Sequence, residues 1–319
     1  MKLIVQIPCY NEEATLPLVV NSIPKFIPGI DKVETMIIDD GSRDKTIKVA
    51  KMLGVDHIIK NKQNKGLAAT FATGLHEALR RGADIIVNTD GDNQYPQQDI
   101  PKLVEPIIKG THDIVVADRQ TDKIEHFSPF KKFMQRFGSR VVNLASGTDI
   151  PDAPSGFRAY SRHAAMNMNI ITDFSYCMET IIAAGRKRLA ITHVPVKTNP
   201  KTRESRLFSN IFQHMAKSGS AIIRSYTMYR PLKIFLASAG LSVIIGLVPY
   251  VRYMFLTFQQ GGEPLGGHLQ SIIFGTVFIM LGIMFLTIGI IADLIAINRR
   301  LHEDTLYRLK RLEYDGTMR

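Results

Sequence analysis

The chain has 319 residues, with 40 Lys and Arg against 29 Asp and Glu and a formal net charge of +11. That length holds one large domain plus an appendage, and two cysteines, Cys9 and Cys177, exclude a disulfide framework and read as packing residues. With no Trp and no DNA- or RNA-binding motif, the positive excess points to an anionic lipid surface and phosphate-bearing substrates, and not to nucleic acid.

Lys2 leads directly into Leu3-Ile4-Val5 with no signal peptide ahead of it, so the N-terminal domain is expected in the cytosol. Alternating apolar runs and amphipathic stretches predict strand Leu3–Ile7, helix Glu13–Phe26, strand Glu34–Ile38 and helix Lys45–Leu53. Strand His57–Lys60, helix Leu67–Arg81, strand Asp84–Asn88, helix Asp99–Lys109 and strand Asp113–Ala117 follow. Such alternation implies a mostly parallel sheet covered on both faces. Ligands of these sheets bind beyond the carboxyl ends of the strands. Polar clusters sit at four of those ends: Pro8-Cys9-Tyr10-Asn11-Glu12, Asp39-Asp40-Gly41-Ser42-Arg43-Asp44, Asn64-Lys65-Gly66 and Asp90-Gly91-Asp92-Asn93-Gln94.

The last cluster carries the sharpest chemical signal. Residues i and i+2 of extended backbone point the same way, so Asp90 and Asp92 present two carboxylates on one side, with Gly91 allowing close approach between them. The pair suits a hard divalent cation that keeps most of its waters and bridges to a substrate phosphate.

Between 203 and 226, Leu207, Phe208, Ile211, Phe212, Met215, Ile222, Ile223 and Tyr226 recur at helical spacing opposite Asn210, Gln213, Lys217 and Arg224. This reads as interfacial amphipathic helix. Two apolar segments follow. Ile234 to Tyr250 is uncharged over 17 residues and Ile272 to Ile291 over 20, enough to cross a hydrocarbon core of roughly 30 Å. The loop Gln259 to His268 has no Lys or Arg, whereas Arg299, Arg300, Arg308, Lys310, Arg311 and Arg319 follow the second span. By the positive-inside rule both termini are expected on the cytoplasmic side. Gly275, Gly282 and Gly289 recur every seven residues, a face for close packing on the first span or on a second copy in a homo-oligomer. Asp293 reads as an interfacial anchor.

The motifs taken together resemble the inverting family 2 glycosyltransferases of GT-A fold, in particular the polyprenyl-phosphate branch of dolichyl-phosphate mannose synthases and bacterial polyprenyl-phosphate glucosyltransferases. The matching residues are Ile7 to Glu13, Ile38 to Asp44, Asn64-Lys65-Gly66, Asp90 to Gln94, Asp118-Arg119, Asp152 to Arg158 and Arg203-Glu204-Ser205-Arg206. The resemblance covers residues 1 to about 210. Gly91 stands where the family usually has Ala, and Arg206 where it usually has Lys, which keeps the charge but changes phosphate geometry.

The resemblance implies an α/β fold: a GT-A (Rossmann-like) nucleotide-sugar domain over 1–202, interfacial helices over 203–230, two transmembrane helices over 231–298 and a cytosolic basic tail over 299–319. It implies that Pro8, Tyr10 and Glu12 line the base and ribose pocket beside Ile38 and Asp40; Lys65 reads either as a donor contact or as the start of a helix. Asp92, with Asp90 and Gln94, is expected to hold Mg²⁺ or Mn²⁺ against the diphosphate, where developing charge needs a cation. Glu13 has no role in this scheme.

The acceptor implied is polyprenyl phosphate, dolichyl or undecaprenyl. It is largely dianionic at neutral pH and needs a cationic cradle in place of a base. Arg119, Arg203 and Arg206 are the candidates, because guanidinium groups grip phosphate oxygens bidentately. Lys131, Lys132, Arg136 and Arg140 lie on a segment able to close over the site, and Asp152 is a candidate for orienting acceptor or sugar. A UDP-sugar is favoured over GDP-mannose, since two-span members resemble the bacterial glucosyltransferases. Two other readings stand beside this one: a family 2 transferase acting on a saccharide hydroxyl, whose processive form lacks its Trp motif here, and a non-catalytic membrane scaffold whose GT-A domain only binds.

Overall fold

The computed structural model describes residues 1–121, 129–171, 176–200, 231–259 and 269–316. The chain divides into two compact units, one of Met1–Ser225 with Thr305–Arg319 and one of Tyr226–Asp304. The predicted interfacial helices over 203–230 lie outside the described residues, as do Arg203 and Arg206.

The first unit is built on a seven-stranded sheet in which β1 (Lys2–Cys9) pairs in parallel with β2 (Lys32–Asp39) and β4 (Ile85–Asn88). β3 (His57–Lys60) closes one edge against β2, while β6 (Arg158–Ser161), β5 (Ile114–Asp118) and β7 (Ile191–Pro195) extend the sheet beyond β4. Only β6 runs antiparallel to its neighbours. β1 reads KLIVQIPC and is buried from its second residue on, the signature of a strand covered on both faces.

The helices form where the sequence places their apolar faces, with shorter bounds than expected. α1 spans Leu16–Ser22, not Glu13–Phe26: the chain first turns through Glu12–Thr15, with the Leu16 N–H donating to Glu12 O, and Pro24 prevents continuation. α2 (Thr46–Met52) and α3 (Leu67–Arg80) follow β2 and β3, and α3 buries Phe71, Leu75 and Leu79. A 3₁₀ turn, Gln97–Asp99, leads into α4 (Ile100–Ile108). α5 (Pro129–Ser146) precedes β6, and α6 (Arg162–Asn167) and α7 (Tyr176–Arg186) follow it.

β6 joins the sheet against its sequence character. Arg158 is fully buried, its guanidinium donating to Ser155 O, Ala153 O, Cys177 O and Thr180 Oγ1. A buried cation is tolerated only when its donors are satisfied. Four backbone or hydroxyl acceptors satisfy it here, and they lock the turn before β6 onto α7.

The second unit contains α8 (Pro231–Gln259) and the greater part of α9 (Leu269–Gly316), both long and apolar enough to cross a membrane. Their large apolar side chains, such as Leu241, Val248, Phe255, Met280 and Leu294, face outward, whereas a soluble hairpin would bury them. The glycine face of α9 is taken up by α8. A Cβ on Gly275 would lie 2.7 Å from Gly246 O, and one on Gly282 2.6 Å from Val243 Cγ2.

From Thr305 the helix α9 groups with the first unit. Tyr314 is buried there with its hydroxyl on His76 Nδ1 of α3. Tyr307 packs edge-on to His163, and Lys310 Nζ donates to Met168 O and Asn169 Oδ1 at the end of α6. This segment is therefore a docked helix within the first unit.

Candidate active site

Because β1, β2, β3 and β4 are parallel neighbours, the four polar clusters meet along one edge of the sheet. β6, running the other way, starts where β4 and β5 end, and so brings residues 152–157 to that same edge.

Backbone and side chains interlock the first two loops. The Asp40 N–H donates to Cys9 O, the Asn11 N–H to Ser42 Oγ and the Glu12 N–H to Thr46 Oγ1. Glu13 accepts from the Lys45 N–H at 2.8 Å, which gives it a structural duty. Gly41, at φ +76°, approaches Gln63 so closely that a Cβ would lie 2.9 Å from its carbonyl carbon. Asn11, Asn93 and Gln120 adopt positive φ, and all three sit in loops at this edge. Such conformations persist where surrounding structure enforces them.

Asp40, expected beside the base pocket, spends both carboxylate oxygens on the third loop. It accepts from Asn61 Nδ2, the Lys65 N–H and the Gly66 N–H, each at 2.9 Å. The Lys65 side chain is exposed, while Pro8, Ile38 and Glu12 are buried and Tyr10 is partly exposed. Sequence reasoning overlooked Asp39. It is fully buried, accepts from the Ser42 N–H through Oδ2, and has no partner for Oδ1 among the described residues. A buried acceptor of this kind is costly unless a ligand donor meets it.

Asp90 and Asp92 flank Gly91, which sits so close to the first loop that a Cβ would meet Cys9 Sγ and Glu12 Cγ at 3.2 Å. Burial, with Glu12 nearby, pushes the Cys9 thiol well up, so it is neutral packing and not a nucleophile. Asp92 Oδ1 accepts from the Gln94 N–H at 3.1 Å. Two carboxylates, with the amide of Gln94 two residues further along the chain, are hard oxygen donors, a set whose chemistry fits Mg²⁺ or Mn²⁺ with waters and diphosphate completing the shell. Asn199 steadies the loop by donating to Asn93 O and Gln94 O.

A Cβ on Gly156 would come within 3.1 Å of Asp90 Oδ2, so the turn before β6 closes directly on the carboxylate pair. The Gly156 N–H donates to the buried Tyr95 hydroxyl at 3.0 Å, and Asn88 Nδ2 donates to Gly156 O and the Tyr176 hydroxyl at 2.8 Å. Neither tyrosine nor Asn88 was singled out from the sequence, because their partners lie 61 to 88 residues away.

Arg119 is not an open cation but is held by a buried carboxylate. Asp152, 2% exposed, accepts from Arg119 Nε at 2.7 Å, Nη2 at 2.8 Å and the backbone N–H at 3.1 Å. Burial disfavours the charge on Arg119, but Asp152 and Tyr95 outweigh it and hold the guanidinium above its ordinary value. The arginine is thus charged and fixed, with Nη1 left outside this bidentate grip.

Residues 4–168 match the family model described as Glycosyl transferase family 2. The chain belongs to that family. A UDP-N-acetylglucosamine–dolichyl-phosphate N-acetylglucosaminyltransferase of Methanococcus voltae is 33% identical over 216 residues, spanning 60% of this chain and 83% of the relative. A dolichol-phosphate mannosyltransferase of Pyrococcus furiosus is 30% identical over 226 residues, covering 67% of this chain and 62% of the relative. Among solved structures, glucosyl-3-phosphoglycerate synthase of Mycobacterium tuberculosis, in complex with Mn²⁺, UDP and glucosyl-3-phosphoglycerate, superposes with a TM-score of 0.52 at 21% identity. It covers 71% of this chain and 78% of that one. The fold is GT-A, and this family 2 chain is a glycosyltransferase with two candidate membrane helices.

Proposed function

We propose that this enzyme moves a hexose from a nucleotide diphosphate sugar to a polyprenyl phosphate, with inversion, on the cytoplasmic face of a membrane. The observation that carries the reading is the Asp90–Gly91–Asp92 corner, pressed on one side against the Pro8–Glu12 loop and on the other against Gly156. That corner separates a donor side, lined by the loops after β1, β2 and β3, from an acceptor side, where Arg119 and Asp152 stand.

On the donor side, Asp39 Oδ1 offers an acceptor to the nucleotide, and Pro8, Tyr10, Glu12, Ile38 and Lys65 stand in the same three loops and strand ends. Asp90, Asp92 and Gln94 would hold Mg²⁺ or Mn²⁺, which supplies positive charge against the departing diphosphate. On the acceptor side, Arg119 aligns one oxygen of the lipid phosphate with the anomeric carbon, a role the sequence also suggests for Arg203 and Arg206, which lie outside the described residues. The phosphate oxygen forms a bond to that carbon from the face opposite the leaving group, and the carbon–oxygen bond to the diphosphate breaks. No proton is removed, since the phosphate is already ionised. Asp152, committed to Arg119 through three hydrogen bonds, serves as a positioning residue.

A UDP-sugar is the favoured donor, supported by the UDP-N-acetylglucosamine in the name of the Methanococcus voltae relative. The test is a panel of radiolabelled UDP- and GDP-sugars offered to the full chain with polyprenyl phosphate and Mg²⁺ or Mn²⁺, with the product anomer read by NMR. Metal-dependent formation of an inverted lipid-linked sugar is expected. Transfer only to a saccharide hydroxyl, or none with any donor, overturns the reading.

A further inference from the structure

The outward face of α5 has no use in the chemistry above. On a helix advancing about 100° per residue, Phe133, Arg136, Phe137, Arg140 and Leu144 fall within a stripe about 100° wide. All five are exposed, with Phe133 at 62%, Phe137 at 53% and Leu144 at 86%, and the two phenyl rings stack on each other in the open, centroids 6.4 Å apart. The 18 residues of the helix include four cations and no acid. Single exposed apolar residues are ordinary, but aromatic and aliphatic side chains aligned with arginines along one stripe are not.

An adjoining flank of the same helix, turned inward at the buried Ser139, supports the acceptor side of the site. Ser139 Oγ accepts from the Ala153 N–H, and Asn143 binds Ile150 through both its N–H and carbonyl groups. α5 thus carries on its inner side the turn that ends in Asp152, the partner of Arg119.

We propose that the outward face of α5 lies on the anionic lipid surface, its aromatics in the headgroup boundary and its arginines against lipid phosphates. The charge is complementary to that surface, the side chains are those of interfacial helices, and the same chain holds two helices long enough to cross a bilayer. The consequence for catalysis rests on the proposed polyprenyl phosphate acceptor; the contact with lipid does not.

The chain contains no Trp, so one introduced residue reports its own surroundings. Full-length Phe137→Trp, and Leu144→Trp as an independent reporter, are reconstituted in vesicles of phosphatidylcholine and phosphatidylglycerol with and without brominated acyl chains. Phe26→Trp is the control: Phe26 is 80% exposed and lies in the connection to β2, at the end of the sheet away from the site. Blue-shifted emission quenched by bromolipid is expected at 137 and 144 and not at 26. Water-like emission at 137 and 144, equal quenching at all three positions, or a blue shift without quenching, which means that protein covers the face, each overturns the proposal. In a second arm, Phe133→Ser with Phe137→Ser is expected to raise KM about tenfold for vesicle-borne polyprenyl phosphate while leaving KM for a water-soluble short-chain prenyl phosphate unchanged. An equal rise for both acceptors overturns the catalytic consequence, and absence of transfer to either, with quenching intact, refutes the acceptor assignment and not the lipid contact.

Discussion

Replacing Asp152 tests whether the acceptor side is built on a fixed arginine. Three hydrogen bonds converge on this carboxylate, two of them from a guanidinium that is only 12% exposed. Asp152→Ala leaves that charge buried without its partner, a change that costs about 3–5 kcal/mol in comparable buried pairs. For a domain near 200 residues this lowers Tm by about 10 °C. Asp152→Asn keeps the shape and one acceptor oxygen, so a loss of about 2 kcal/mol is expected. Thermal unfolding of the full chain in detergent reads the single variants, Arg119→Gln and the double variant. The double loss should fall short of the sum of single losses by about 2 kcal/mol, because each single change already breaks the pair. Transfer should persist in Asp152→Asn with a weakened dependence on lipid phosphate and unchanged donor affinity. Additivity within about 0.5 kcal/mol, or loss of turnover at every acceptor concentration with stability intact, refutes the positioning role and makes Asp152 a base.

Asp92→Asn should lower metal-dependent transfer about 10²-fold or more without unfolding the protein; a wild-type rate at limiting Mg²⁺ or Mn²⁺ contradicts the metal assignment. Glu34, on β2, accepts from Lys2, Lys32 and His57, which overcome its burial and bring its carboxyl to about 2. Its folded value is lowered, so its contribution is present above the ordinary 4.5 and is lost as pH falls towards 2. Urea titrations at pH 7 and pH 3 should show Glu34→Gln removing about 2–3 kcal/mol at the former and far less at the latter. Gly91→Ala should destabilise by about 1 kcal/mol through contact with Cys9 Sγ and Glu12 Cγ, and Cys9→Ala should relieve much of that in a double-mutant cycle.

The half of the sheet that carries the four polar clusters was legible because each element announces itself locally. An apolar run ends in a polar cluster four times between Leu3 and Gln94, and parallel pairing then brings those ends together. The acceptor half was not legible for the opposite reason. β6 is four residues long with a buried arginine at its head, and nothing in Arg158-Ala159-Tyr160-Ser161 marks it as a central strand. Its antiparallel entry decides which residues reach Asp90, and that depends on the pairing of β4, β6 and β5. The fixing of Arg119 was hidden likewise: its type suggested a phosphate ligand, but the carboxylate that holds it stands 33 residues away. Asp39 was passed over in favour of Asp40, since both are buried and only their hydrogen-bond partners separate two adjacent carboxylates.

The docking of Tyr314 on α3 orders events during synthesis. Residues 1–200 leave the ribosome first and can assemble their sheet, yet the surface around His76 and the end of α6 waits for a segment made only after both long apolar helices. Until then the catalytic unit lacks one buried tyrosine and the lysine that caps α6, so its last contacts close after the membrane helices have been translated. A tyrosine 238 residues downstream of its histidine thereby ties the closing of the first unit to the prior synthesis of both long apolar helices.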